Sequence, residues 1–127
     1  MIEIILPLPP SANRIWRNFG GRMVKSSEYR VWKDTAAASI AHQMGGQPPL
    51  QWFTAAMVMP PTRRDLDNSI KPALDALQAG GAVEDDKRLR ALVISVDDSR
   101  RGNDTVLIQL RPADEPVKPA KKGKRKC

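Results

Sequence analysis

Paired prolines and glycines cut this chain into short segments, and that punctuation limits what it can fold into. Pro9-Pro10, Gly45-Gly46, Pro48-Pro49, Pro60-Pro61 and Gly80-Gly81 divide it into pieces of strand or single-helix length. Residues 2–8, rich in branched apolar side chains, read as a strand, ended by Pro7, Pro9 and Pro10 because proline donates nothing to a sheet ladder. Residues 51–59 read as a second strand, central and partly buried on both faces, stopped by Pro60-Pro61. Leu89 to Val96 and Thr105 to Leu110 read as two more, with Asp97-Asp98-Ser99-Arg100-Arg101-Gly102-Asn103 as a hairpin loop between them.

Two segments carry helical spacing instead. In residues 27–44, Tyr29, Trp32, Ala36 and Ile40 recur at steps of three and four, with Ser26 or Ser27 as a cap and Glu28 in the first turn. Gly45-Gly46 stops that helix, and His42, the only histidine, suits its last turn as a complement to the helix dipole. Later, Ile70, Ala73, Leu74 and Leu77 follow the i, i+3, i+4, i+7 pattern. Pro72 is tolerated only in a first turn, so this helix begins no earlier than about Asn68–Ser69, with Asp67, Asn68 or Ser69 as N-cap and Gly80-Gly81 as its end. These elements predict one α+β (mixed α/β) domain: a small mixed sheet of about four strands packed by two helices.

The 127 residues fit a single domain, and the apolar runs Ile4-Ile5-Leu6 and Leu92-Val93-Ile94 are far too short to span a bilayer. No secretory signal is read at the start, and Cys127 alone allows no internal disulfide, which fits a reducing, cytoplasmic compartment. A net charge of +7 favours a polyanionic partner, most often nucleic acid. Much of the excess lies in Lys118, Lys121, Lys122, Lys124, Arg125 and Lys126, where apolar content has gone and Pro, Lys and Gly take over. Residues 1–111 therefore read as the folded domain and 112–127 as a disordered basic tail. Nearer the start, Arg14, Arg17, Arg22 and Lys25 surround Trp16 and Phe19, with Ser11 to Arg14 as an ordered loop and Gly20-Gly21 as a turn. Cations among aromatics hold phosphates and stack on bases, or else the rings cover core and the cations are solvated.

Chemistry concentrates in Arg63-Arg64-Asp65-Leu66-Asp67-Asn68-Ser69-Ile70-Lys71. Two carboxylates two residues apart repel unless a cation lies between them, and oxygen ligands suit a hard ion such as Mg2+. In an extended segment Asp65 and Asp67 would face the same ion, with Leu66 turned into the core. Glu84-Asp85-Asp86 would add a third carboxylate if the turn at Gly80-Gly81 brings it back. No calcium loop is present: counted from Asp65, the required glycine falls on Ile70 and the required glutamate on Ala76. Lys71 lies one turn beyond Asp67, where it reaches a phosphate or pairs with Asp67 or Asp75. On local sequence alone, a helix cap with ion pairs to Arg63 and Arg64 stands beside the metal reading.

The chain resembles the RusA family of Holliday junction resolvases in Leu6-Pro7-Leu8-Pro9-Pro10-Ser11-Ala12-Asn13-Arg14, in Arg64-Asp65-Leu66-Asp67-Asn68 with Lys71 ahead of Leu74-Asp75-Ala76-Leu77, and in Asp85-Asp86, in the same order over about residues 2–110. The resemblance implies a bacterial or phage homodimer that binds four-way DNA junctions and nicks two strands symmetrically with Mg2+. It implies Asp65, Asp67 and Asp86 as metal ligands, with Glu84 and Asp85 weaker claimants, and Lys71 as the essential lysine. The expected chemistry is a metal-activated water attacking phosphorus in line, leaving 5′-phosphate ends, with Lys71 and Arg64 stabilising the transition state. Arg14, Arg17, Arg63, Arg64 and Lys71 are the expected DNA contacts. A nuclease acting mainly on other branched DNAs, or a noncatalytic DNA-binding module, are the alternatives.

Overall fold

The computed structural model describes residues 1–10, 16–19, 22–25, 27–62 and 66–117. The elements run β1 (Ile2–Pro7), β2 (Trp16–Phe19), β3 (Arg22–Lys25), α1 (Ser27–Met44), β4 (Phe53–Met59), α2 (Ile70–Ala79), β5 (Leu89–Val96) and β6 (Thr105–Pro112). Short 3-10 turns at Leu66–Ser69, Asp86–Arg88 and Asp98–Arg100 punctuate the second half. This is the expected α+β architecture: a four-stranded mixed sheet in the order β1-β6-β4-β5, covered by two helices.

Alternation along the strands decides which face is covered. In β4, Phe53, Ala55, Met57 and Met59 are buried while Thr54, Ala56 and Val58 are half-buried. The buried set continues through Ile4 and Leu6 of β1 and Val106, Ile108 and Leu110 of β6. Against it lie Ala36, Ile40 and Met44 of α1 and Ala73, Leu74, Ala76 and Leu77 of α2, forming one core. The helical stripe read from the sequence is this contact surface. Tyr29, Ala36 and Ile40 are buried and Trp32 is half-buried, its indole N–H donating to the Pro7 carbonyl at 3.1 Å.

The helices approach closely because Gly80 has no side chain. A Cβ there would stand 2.6 Å from the Cβ of Ile40 and 2.8 Å from the Ala37 carbonyl oxygen. Gly81 follows with φ of +82°, a left-handed conformation that turns the chain back from α2. Leu50 then clasps the return: its N–H donates to the Ala82 carbonyl and its carbonyl accepts from Glu84 N–H, both at 2.9 Å.

One expectation about connection is corrected. β5 and β6 do not form a hairpin, because β4 lies between them, parallel to β5 and antiparallel to β6. The α2 crossover places β5 at the sheet edge, whereas β6 in the interior pairs along both sides, with β4 and β1. The link between them crosses the sheet end, tied by Asp97 N–H to the Met59 carbonyl at 3.0 Å and by Leu8 N–H to the Asp104 carbonyl at 2.8 Å. Asp97 is turn chemistry, as read: its carboxylate accepts from the Ser99 N–H and hydroxyl. Two further strands, β2 and β3, were not read from the sequence; they pair antiparallel, Trp16–Phe19 with Arg22–Lys25. Two glycines between short runs are a hairpin signal, but those runs show no period-two pattern that would mark them as strands.

β6 also continues two residues beyond the expected Leu110, and Ala113 N–H donates to the Trp52 carbonyl at 2.8 Å. Disorder of the basic tail was expected over residues 112–127; Arg111 and Pro112 are strand, and 118–127 lie outside the described residues. Among the described residues no helix is long and apolar enough to cross a membrane.

Candidate active site

The candidate site lies where the first turn of α2 meets the segment returning from Gly80-Gly81. Helical spacing places Lys71, Asp75 and Gln78 along one side of α2. The Lys71 ammonium donates to Asp86 Oδ2 at 2.8 Å and pairs with Asp75 Oδ1 at 3.0 Å. Asp86 N–H in turn donates to Gln78 Oε1 at 3.1 Å, so α2 holds both the backbone and the carboxylate of Asp86. Asp75 uses its other oxygen as well: Oδ2 accepts from the Tyr29 hydroxyl at 2.7 Å. Residues from three parts of the chain thus share one chain of short polar contacts.

Each charge has a traceable cause. Hydrogen bonds to Asp86 first and Asp75 second raise the Lys71 pKa above its ordinary value, so the ammonium is fixed as a cation. Burial, then the hydrogen bond to Asp75, raises the Tyr29 phenol, which keeps its hydroxyl a donor. Lys71 is two-thirds exposed, so the ion pairs contribute little to stability and matter for geometry.

The second acidic cluster separates into roles. Asp86 and Lys71, fifteen residues apart in sequence, are brought together after the turn at Gly80-Gly81. Asp85 caps the following 3-10 turn, accepting from Lys87 N–H at 2.9 Å, and that bond holds its carboxyl below the usual carboxylate range. Glu84 is exposed and pairs with Arg88 at 3.3 Å. Asp75, assigned a structural pairing with Lys71 from its spacing, makes that pair.

Of the first cluster, only the part from Leu66 onward is described, and it is not extended. Leu66–Ser69 is a 3-10 turn, so the alternation that would point Asp65 and Asp67 the same way does not apply from Leu66 onward. Leu66 does pack against the core, and Asp67 is exposed. Ser69 holds the N-cap position of α2 but makes no side-chain cap bond. Arg63, Arg64, Asp65 and Arg14 lie outside the described residues, and of Arg17 only the strand pairing with Val24 is described. His42 occupies the last turn of α1 and is exposed, apart from these contacts.

Among the described residues no group of three His, Cys, Asp or Glu side chains is clustered as a metal site. Asp67 and Asp86 are oxygen donors of the type a hard divalent ion takes; a third carboxylate would have to be Asp65. Sequence reasoning missed Tyr29 and Gln78, although Gln78 falls seven residues after Lys71 and so on its side of the helix. It also missed a basic-aromatic cluster beside the Asp86 turn, where the guanidinium groups of Arg88 and Arg90 lie 5.3 and 6.0 Å from the Trp52 ring centre. The run Lys87-Arg88-Leu89-Arg90 directly after the acidic pair was the available signal.

The chain is similar in sequence to known proteins. A family model described as Endodeoxyribonuclease RusA matches residues 7–111. The crossover junction endodeoxyribonuclease RusA of Escherichia coli strain K12 is 37% identical over 90 residues, covering 68% of this chain and 75% of that protein. The same-named protein of Escherichia coli O139:H28 is 38% identical over 88 residues, covering 67% and 73%. That of Enterobacteria phage 82 is 36% identical over 90 residues, covering 68% and 75%.

Proposed function

The chain belongs to the RusA family of endodeoxyribonucleases, and from that premise we propose that it is a crossover junction endodeoxyribonuclease which resolves four-way DNA junctions by paired nicks. The observation that carries this reading is the contact between Lys71 and Asp86, which gathers a carboxylate and a fixed cation at the start of α2. Nothing in a helix cap requires those two residues to meet.

In this reading Asp65, Asp67 and Asp86 hold a divalent cation, Mg2+ by the hardness of an all-carboxylate donor set. When bound, such an ion polarises a phosphate oxygen and makes water a better nucleophile at neutral pH. The protein's own residues do the rest. Gln78 and Lys71 fix the aim of Asp86. Lys71, cationic at neutral pH, offsets negative charge as it grows on the phosphoryl oxygens. Water, not a side chain, is the nucleophile, and the product ends carry 5′-phosphate. Arg14, Arg17, Arg63 and Arg64 join Lys71 as contacts to the DNA backbone, which position the substrate without reading sequence.

A four-way junction offers two equivalent strands, and two-fold pairing of the chain supplies two equivalent sites, so a homodimer is the working form. The role is DNA recombination and repair in the cytoplasm of a bacterium, on a bacterial or phage-encoded chain. The folded domain through β6 carries the nuclease, and the basic residues from Lys118 onward add nonspecific affinity.

Asp67→Asn tests the site. Junction cleavage in Mg2+ should fall by about 10²-fold or more, with the fold intact and junction binding kept or tightened, since a negative charge facing phosphate is gone. Retained cleavage would remove Asp67 from the site. Loss of folding, with no metal-dependent cleavage by the wild type, would favour a noncatalytic DNA-binding module.

A further inference from the structure

Lys71 can act on a phosphate only if its ammonium stays at the site, and its own side chain does nothing to keep it there. It is long, flexible and 66% exposed. One of its two anchors, Asp86, is also a proposed metal ligand, so that anchor weakens whenever Asp86 turns to a cation. The other anchor has no such second duty. Asp75 gives Oδ1 to Lys71 at 3.0 Å and Oδ2 to the Tyr29 hydroxyl at 2.7 Å, so its carboxylate is gripped at both oxygens. Tyr29 is itself rigid: its residue is 1% exposed in the core and its ring stacks on Trp32 with centroids 6.2 Å apart. Trp32 is tied through its indole N–H to the Pro7 carbonyl at the end of β1.

The geometry points to Asp75 and Tyr29 as positioning residues that hold the Lys71 ammonium over the scissile phosphate while Asp86 is engaged elsewhere. This rests on the reading of Lys71 as the site's phosphate-facing cation. Neither residue touches substrate. Tyr29 orients Asp75, and Asp75 restrains Lys71, so the rigidity of the α1 core reaches an exposed side chain through two hydrogen bonds. The arrangement survives the loss of the Asp86 contact, which a simple two-residue ion pair would not.

Tyr29→Phe and Asp75→Asn are the variants, each compared with wild type well below its melting temperature. Phe keeps the packing and removes the hydroxyl. Asn turns an amide toward the ammonium or leaves Tyr29 without its acceptor. Two readouts are needed. The first is single-turnover cleavage of a synthetic four-way junction in Mg2+, with the junction dissociation constant measured in parallel. The second is the rate at which an amine-acylating reagent modifies Lys71, followed by mass spectrometry in DNA-free protein with Mg2+ present, so that Asp86 is engaged. Both variants should slow cleavage by about five- to tenfold at nearly unchanged junction affinity, and Lys71 should be acylated several-fold faster as its ammonium is freed. Tyr29→Phe placed on Lys71→Met should cost no further rate.

A merely structural Tyr29 would lower the melting temperature and leave both readouts unmoved, which would overturn the inference. So would an undiminished effect of Tyr29→Phe on residual cleavage in the Lys71→Met background. If Lys71→Met itself cleaves at the wild-type rate, the reading of Lys71 as the site cation fails instead, and the labelling result then reports only on the ion pair. The two failures are thereby told apart.

Discussion

Lys71 has three ammonium hydrogens, and aspartates on both sides take two of them. That detail changes the meaning of a residue whose spacing alone allowed a helical ion pair with Asp67 or Asp75, or a contact with phosphate. The Asp75 pair and a contact with Asp86 coexist, and the partner that joins them, Tyr29, lies 46 residues away in sequence from Asp75. No local pattern could have revealed it, because a buried tyrosine in an apolar stripe reads as core until its hydroxyl is given a partner. The raised phenol pKa gives a testable sign. The folded protein binds the phenolic proton more tightly than the unfolded chain does, whose phenol titrates near 10.0. Stability from this group is therefore complete below pH 10 and lost as pH climbs above it. Lys71, raised from 10.5 by its two aspartates, acts in the same direction at slightly higher pH, only weakly because it is exposed. Melting temperature recorded from about pH 8 to 11.5 should fall above pH 10 for the wild type, and Tyr29→Phe should show a shallower fall. Parallel curves would mean that the hydroxyl is not held as described.

Among the elements, α2 does the most to build the site, and its limits were legible. Pro72 and Gly80-Gly81 bounded it in the sequence, and the helix runs Ile70–Ala79. What precedes it was not legible: Leu66–Ser69 winds as a 3-10 turn instead of extending. A segment held between a strand end and a helix start takes the backbone its ends demand, and side-chain alternation has no hold on it. The β5–β6 link failed for a related reason. Loop composition identified a turn, but strand neighbours are set by the crossover through α2, which is not a local property. Helix packing gives the element-scale prediction. Gly80→Ala would force a Cβ against the β-branched Ile40 side chain and the Ala37 carbonyl, neither of which can swing away. It should destabilise the protein by about 1–3 kcal/mol, seen as a lower urea midpoint with little change in slope. It should also reduce cleavage, since the return that delivers Asp86 starts at this glycine. An unchanged midpoint would contradict the close approach of α1 and α2.

At the scale of the whole molecule, charge and fold make separate contributions. The four short strand segments and the stripes of α1 and α2 were enough to predict the α+β domain, because a sheet face needs helices to cover it. Net charge predicted a polyanion as partner, but six of the basic residues between Lys118 and Lys126 lie beyond the last strand. Removing residues 113–127 should lower nonspecific DNA affinity and flatten its dependence on salt, by roughly 0.9 in log–log slope for each phosphate the tail no longer neutralises, while single-turnover junction cleavage at low salt persists. An unchanged slope would mean that the tail serves another partner. The central claim is that Asp65, Asp67 and Asp86 together with Lys71 form a metal-dependent site for junctions. Its most direct measurement is a nicking assay on a synthetic four-way junction and on linear duplex of the same sequence, with Mg2+ and with chelator. Paired nicks on the junction alone, abolished by chelator, are the predicted result; equal cutting of both substrates, or cutting that survives the chelator, would contradict it.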